Sequence, residues 1–219
     1  MTTPMPASEA EDPLLDLAEM SLDISPRLAE QIAFIAETDR LKAVLRLSPL
    51  LSAPRRENDA EHSWHLALMV LVLAEYANEP INVERTLKLV LVHDLVEIYA
   101  GDTCLFDDEA RKDQAQREAA AAGRLFAILP ADQEAEFHGL WDEFEARRTP
   151  EARFAKAMDR LQPLLLNAGN QGGTWRSPGV TGARVRERTS AIDDGSRALW
   201  SCTEELLALG VRKGWLSPG

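Results

Sequence analysis

The stretch Leu87–Val96 is apolar almost all the way round a helix, yet it contains an adjacent His93-Asp94 pair. A helix without a polar face belongs in the middle of a fold, with other elements packed around it. An ionised aspartate buried there without a partner costs on the order of several kcal/mol. Asp94 therefore demands a cation, a metal or strong hydrogen bonds. The bland reading is a His–Asp pair that crosslinks helices, since structural ion pairs are common. The sharper one is a functional site.

The rest of the chain reads as helices. Residues 27–47 place Leu28, Ile32, Ile35, Leu41, Val44 and Leu45 near one helical face. Residues 47–58, with Ser-Pro, Ala-Pro and Arg55-Arg56, read as a loop. A helix is predicted from about Ala60 to Asn78, and another from an Asn82 cap through Val83 to about Ala100, closed by Gly101. Further helices are expected over 107–128 and 131–147, and then after Thr149-Pro150, a helix-start signal. That last helix carries Asp159, and Pro163 should kink it or end its regular hydrogen bonding. Residues 167–182 read as a loop, and 183–209 as a final helix. No strand, repeat or low-complexity tract stands out. The expectation is an all-α, single-domain helical bundle over residues 27–219, preceded by a tail or loosely docked segment over residues 1–26.

Composition narrows the function. The chain has 219 residues, enough for one well-buried core, with 45% apolar and 27% charged residues. No apolar run approaches the roughly 20 residues that cross a bilayer. The first 26 residues hold six acids and no Lys or Arg, the reverse of a secretory signal. Cys104 and Cys202 are too few for a disulfide framework, so the expected compartment is the cytoplasm. The net charge of -12 repels nucleic acid polymers. A small phosphorylated substrate remains compatible, because a metal and one or two arginines reverse the field locally.

Further residues favour a functional site. Glu97 lies at i+4 from His93 and i+3 from Asp94, on neighbouring positions of a helix. Glu61-His62 opens the preceding helix, beside a loop. Asp159 interrupts another apolar run, Phe154–Leu161. Two imidazoles and two carboxylates make a mixed N/O set suited to one divalent transition metal, Mn, Fe, Co, Ni or Zn. Asp94 and Asp159 would offset its charge.

In this pattern, a His, then His-Asp, then a distant Asp, all on helices, the chain resembles the HD-domain metal-dependent phosphohydrolases. Within them it is similar to the 5'-deoxynucleotidase group. The likeness rests on Leu41-Lys42 with Arg46, and on Arg56–Ser63. It continues through His93–Glu97, Ala100-Gly101-Asp102 and Met158–Pro163, within about residues 30–180. It implies a helical bundle with His62, His93, Asp94 and Asp159 as metal ligands. It also implies release of phosphate from (deoxy)nucleoside 5'-monophosphates by attack of metal-bound water. By position, Glu97 matches an acid beside that water, Asp102 a carboxylate near the leaving oxygen, and Arg46 an arginine at the phosphate. A homodimer is implied mainly by the resemblance. Leu47 departs from the group, which has Trp there.

Two other functions share these residues. A phosphodiesterase or nucleoside triphosphate hydrolase would keep the metal site and change the pocket. A helical binding or scaffold protein with a structural metal would need only ligands, and Glu97 and Asp102 argue against it. Outside the pattern, His65 is expected to be buried or interfacial, and His138 solvated. Arg55 and Arg56 read as surface charge. The Gln171–Trp175 loop reads either as a cover over the site or as a turn packed by Trp175.

Overall fold

The Ser25 hydroxyl accepts a hydrogen bond from the Leu28 amide, and Pro26 presets φ at the first helical position. Helix α1, Pro26–Thr38, starts there. The computed structural model describes residues 25–219, so the expected tail lies outside the described residues except at its end, where Pro26 is already helical.

A 3-10 turn, Asp39–Ala43, leads from α1 into strand β1, Leu45–Pro49, which pairs antiparallel with β2, Arg56–Asn58. This ribbon corrects both the helix expected to residue 47 and the absence of strands. The reason lies in burial. Leu45 and Leu47 are 49% and 48% exposed, so their spacing never marked a core face. Between them, β1 turns Arg46 inward, with only 12% of its side chain exposed.

Helix α2, Asp59–Leu73, opens on a capping box. The Asn58 side chain accepts from the Glu61 amide at 2.9 Å, and Glu61 accepts from the Asn58 amide at 3.1 Å. The cap fixes His62 in the first turn. Helix α3, Val83–Val92, starts on Asn82 as expected, but it does not run unbroken to Ala100. Residues 93–96 tighten into i→i+3 bonds, with the Leu95 amide donating to Val92 O at 3.2 Å and Glu97 to Asp94 O at 3.0 Å. Only then does α4, Glu97–Ala100, follow. Gly101 ends it at φ 75°, a left-handed position that glycine takes without a Cβ clash.

Helix α5, Gln114–Phe126, begins seven residues later than expected, after turns over 105–112, and α6, Ala131–Ala146, follows Pro130. Helix α7, Pro150–Gly169, is capped by Thr149 and runs on through Pro163 to Gly169. Phe154, Ala155, Ala157, Met158 and Leu161 are buried along it, and α2, α3 and α6 pack against it. The centre of the bundle is therefore shared by α3 and α7, while Leu91 on α3 is 48% exposed.

A 3-10 turn, Gly173–Arg176, buries Trp175, so this loop is a turn packed by its tryptophan. The single helix expected over 183–209 is three: α8, Gly182–Thr189, α9, Ala191–Gly195, and α10, Arg197–Arg212. The breaks fall at Ser190 and Ser196, and Ser196 caps α10 by accepting from the Leu199 amide at 3.1 Å. Gly195 lets α9 lie against α7, since a Cβ there would stand 2.5 Å from Arg153 O. Apart from the ribbon, the described residues form the expected mostly helical single domain. None of their helices is long and apolar enough to cross a membrane.

Candidate metal centre and active site

The first turn of α2, the break after α3 and the middle of α7 meet at one place. His62, His93 and Asp159 each bring a ligand atom within 4.8 Å of the others. His62 Nε2 is 3.4 Å from Asp159 Oδ1 and 3.9 Å from Asp94 Oδ2. His93 Nε2 is 3.0 Å from Asp94 Oδ1 and 4.0 Å from Asp159 Oδ1. A second group, Asp59, Asp94 and Glu97, also has carboxylate oxygens within 4.8 Å of one another. Asp94 joins the two groups. All of these side chains are buried.

Both histidines are oriented from behind. His93 Nδ1 lies 2.9 Å from Val90 O, a carbonyl that can only accept, so Nδ1 carries the proton and Nε2 is left as a lone-pair donor. His62 Nδ1 lies 3.1 Å from Gln162 Oε1, while Gln162 Nε2 donates to Glu57 Oε1 at 2.6 Å. Gln162 thus sets the His62 tautomer, as partners behind metal-bound imidazoles commonly do. His93 Nε2 makes no well-aligned hydrogen bond, although Asp94 Oδ1 is 3.0 Å away. A cation between them would satisfy both atoms, so the residues present fit a divalent metal.

Charge follows this geometry. Burial, with help from Arg46, pulls His62 down to about 4, so its ring is neutral at pH 7. Burial opposes the charge on Asp94, but His93, Arg46 and His62 overcome it and hold the carboxyl below the usual range. Asp159 is likewise held well below it, because Arg160 and Lys156 outweigh burial. Glu97 goes the other way. Burial, then Asp94 and Asp59, push it well above an ordinary glutamate, and burial with Asp94 likewise lifts Asp59 to about 6. Burial also raises Asp102 against the pull of Arg46, and lifts Glu57 to about 7.

Arg46 stands among these acids. Its Nη1 donates to Asp59 Oδ1 at 2.9 Å and Asp94 Oδ2 at 3.0 Å, and lies 4.0 Å from Asp102 Oδ1. That commitment was not visible in the sequence.

A cavity of about 460 Å³ opens over the cluster. Arg46, His93, Asp94, Glu97, Asp102 and Asp159 all line it. His62 lies behind this wall, fully buried. Every candidate site residue is thus in one place. Sequence reasoning missed Gln162, Glu57, Asp59, Lys156 and Arg160. A signal existed for three of them, since Gln162 and Lys156 stand at i+3 and i-3 from Asp159 and Arg160 is adjacent. His65 is half-buried, with Nδ1 3.2 Å from Gln162 Nε2. His138 is half-buried against the Phe126 ring, its centroid 5.0 Å away, and not simply solvated.

Comparison with known proteins gives one consistent result. Residues 38–200 match the family described as HD domain. The 5'-deoxynucleotidase HDDC2 of Bos taurus is 30% identical over 149 residues, 68% of this chain and 71% of that one. The 5'-deoxynucleotidase YfbR of Escherichia coli is 31% identical over 154 residues, covering 64% and 76%. A crystal structure described as a predicted metal-dependent phosphohydrolase, from Magnetospirillum magnetotacticum MS-1, superposes with TM-score 0.83. It is 50% identical and covers 88% of this chain and 96% of that one.

Proposed function

The chain belongs to the HD-domain family, and from that premise we propose that it is a metal-dependent phosphomonoesterase acting on 2'-deoxynucleoside 5'-monophosphates. The observation that carries the chemistry is the convergence of His62, His93, Asp94 and Asp159 below one polar cavity. The substrate class is supported by the names of the curated relatives, 5'-deoxynucleotidases. A smaller cavity of about 90 Å³ adjoins the first, shares Asp102 and Asp159 with it, and adds apolar Leu47, Phe106, Pro163 and Leu164. It offers a nonpolar surface to a nucleoside.

In this reading His62 and His93 supply Nε2 as ligand atoms, and Asp94 and Asp159 supply charge. Against burial, Asp94 and Asp159 raise the hold of His93 on a proton, which it would give up to the cation. A divalent cation held there would supply Lewis acidity at the phosphoryl group and lower the pKa of water. Glu97 and Asp102 both line the cavity over the ligands and are the groups that take the proton released by the attacking water and return one to the leaving oxygen. Arg46 keeps Asp59 and Asp94 in register through its paired contacts. The enzyme is read as a cytoplasmic homodimer.

The test is phosphate release by the Mn²⁺-loaded protein from a panel of deoxy- and ribonucleoside mono-, di- and triphosphates and cyclic nucleotides. The expected outcome is hydrolysis of monophosphates, deoxy before ribo. Preferential cleavage of cyclic nucleotides or triphosphates would replace the monoesterase reading.

A further inference from the structure

In a chain with twelve more acids than bases, Arg111, Arg160 and Arg188 line the large cavity together, alongside Glu118, Glu145 and Glu187. Arg111 comes from the turns before α5, Arg160 from α7 and Arg188 from α8, three separate elements. Their charges are poorly answered. Arg111 has no carboxylate partner among the described residues and donates only to Leu105 O, at 3.3 Å. Arg188 Nη2 donates to Asp108 Oδ1 at 2.6 Å, but Arg184 Nη2 holds the other oxygen of that carboxylate at 2.7 Å. One carboxylate thus serves two guanidiniums. Arg188 Nε is buried without a partner. Arg160 lies 3.5 Å from Asp159 Oδ2, and Lys156 Nζ is closer to the same oxygen, at 3.1 Å. Burial, then repulsion from Arg188 and Arg160, holds Arg111 below an ordinary arginine.

We propose that Arg111, Arg160 and Arg188 form a seat for the substrate's phosphate in addition to Arg46. The assignment rests on the phosphohydrolase reading and names the part of the cavity that grips the anion. Arg46 lines the same cavity with Nη1 given to Asp59 and Asp94 and Nε buried without a partner, and the three other guanidiniums add donors from the α5, α7 and α8 side. Arg160 follows Asp159 directly, so a phosphate held by the cluster lies beside the metal ligands. Guanidiniums fit a tetrahedral oxyanion because each presents paired N–H donors that match two of its oxygens. An anion also relieves the mutual repulsion of the cluster.

The experiment is calorimetric titration of inorganic phosphate into Mn²⁺-loaded wild type, Arg111→Gln, Arg188→Gln and Arg184→Gln, with metal content measured on each. Arg184 shares Asp108 but does not line the cavity, so it controls for loss of the Asp108 network. The expected result is that Arg111→Gln and Arg188→Gln each weaken phosphate about tenfold or more. Arg184→Gln should bind phosphate as wild type does. Wild-type phosphate affinity in Arg111→Gln overturns the proposal, as does an equal loss in Arg184→Gln. Should Arg188→Gln fail to fold, Arg111→Gln still decides. If the wild type hydrolyses no nucleotide, the nucleotide reading fails, while the phosphate titration judges the arginine cluster separately.

Discussion

At the scale of single residues, the site is organised by opposite shifts of neighbouring carboxyls. Against burial, histidines and cations hold Asp94 and Asp159 below the usual carboxylate range, whereas burial and neighbouring acids push Glu97 and Asp59 above it. Environments that push neighbouring carboxyls apart mark acid–base roles. Glu97→Gln should therefore retain the metal, since Glu97 is not proposed as a ligand, and lower kcat by roughly 10²–10⁴-fold. Steady-state kinetics on the metal-loaded variant decide this, and near-normal turnover would make Glu97 structural. The ligand candidates were legible because an acid or imidazole inside an apolar run is conspicuous. Gln162 and Arg46's carboxylate partners were not, because an amide or an arginine in sequence does not reveal what it faces. Only the fold brings Gln162 against His62 from a hundred positions away.

At the scale of elements, helix starts were legible where a side chain caps them. Asn82 and Thr149 each bond the amide three residues on, as their sequence contexts indicated. Interruptions were harder to see. Periodicity carried α3 through to Ala100, because the apolar pattern continues across residues 93–96 while the backbone tightens there. The β1–β2 ribbon escaped because its leucines point to solvent and its inward residues, Arg46, Ser48 and Glu57, are polar. The division into α8, α9 and α10 comes with close packing of α9 against α7, and Gly195 sits at that contact. A methyl group at Gly195 would meet Arg153 O at 2.5 Å and Ala157 Cβ at 2.8 Å. Gly195→Ala should cost about 1–3 kcal/mol, as overpacking usually does, and appear as a lower Tm by calorimetry. An unchanged Tm would mean that α9 shifts freely over α7.

At the scale of the molecule, a net charge of -12 coexists with a cavity that takes an anion, because charge is sorted within the cavity. Acids gather at the histidines, where a metal answers them, and the arginine cluster lies beside them. Composition alone argued against polymeric partners but did not reveal this sorting. The fold class was readable in the sequence, as were the candidate site residues that the fold brings together, whereas the arginine cluster required three distant segments to be placed together. The whole arrangement depends on a metal at His62, His93, Asp94 and Asp159. The direct measurement is metal content by elemental analysis, paired with phosphate release from a deoxynucleoside 5'-monophosphate, for wild type and Asp94→Ala. Wild type reloaded with Mn²⁺ should hold one metal per chain and hydrolyse, and chelation should abolish both. Asp94→Ala should keep its fold by circular dichroism and lose metal and hydrolysis together. Wild-type metal content in Asp94→Ala, or undiminished hydrolysis after chelation, would contradict the assignment.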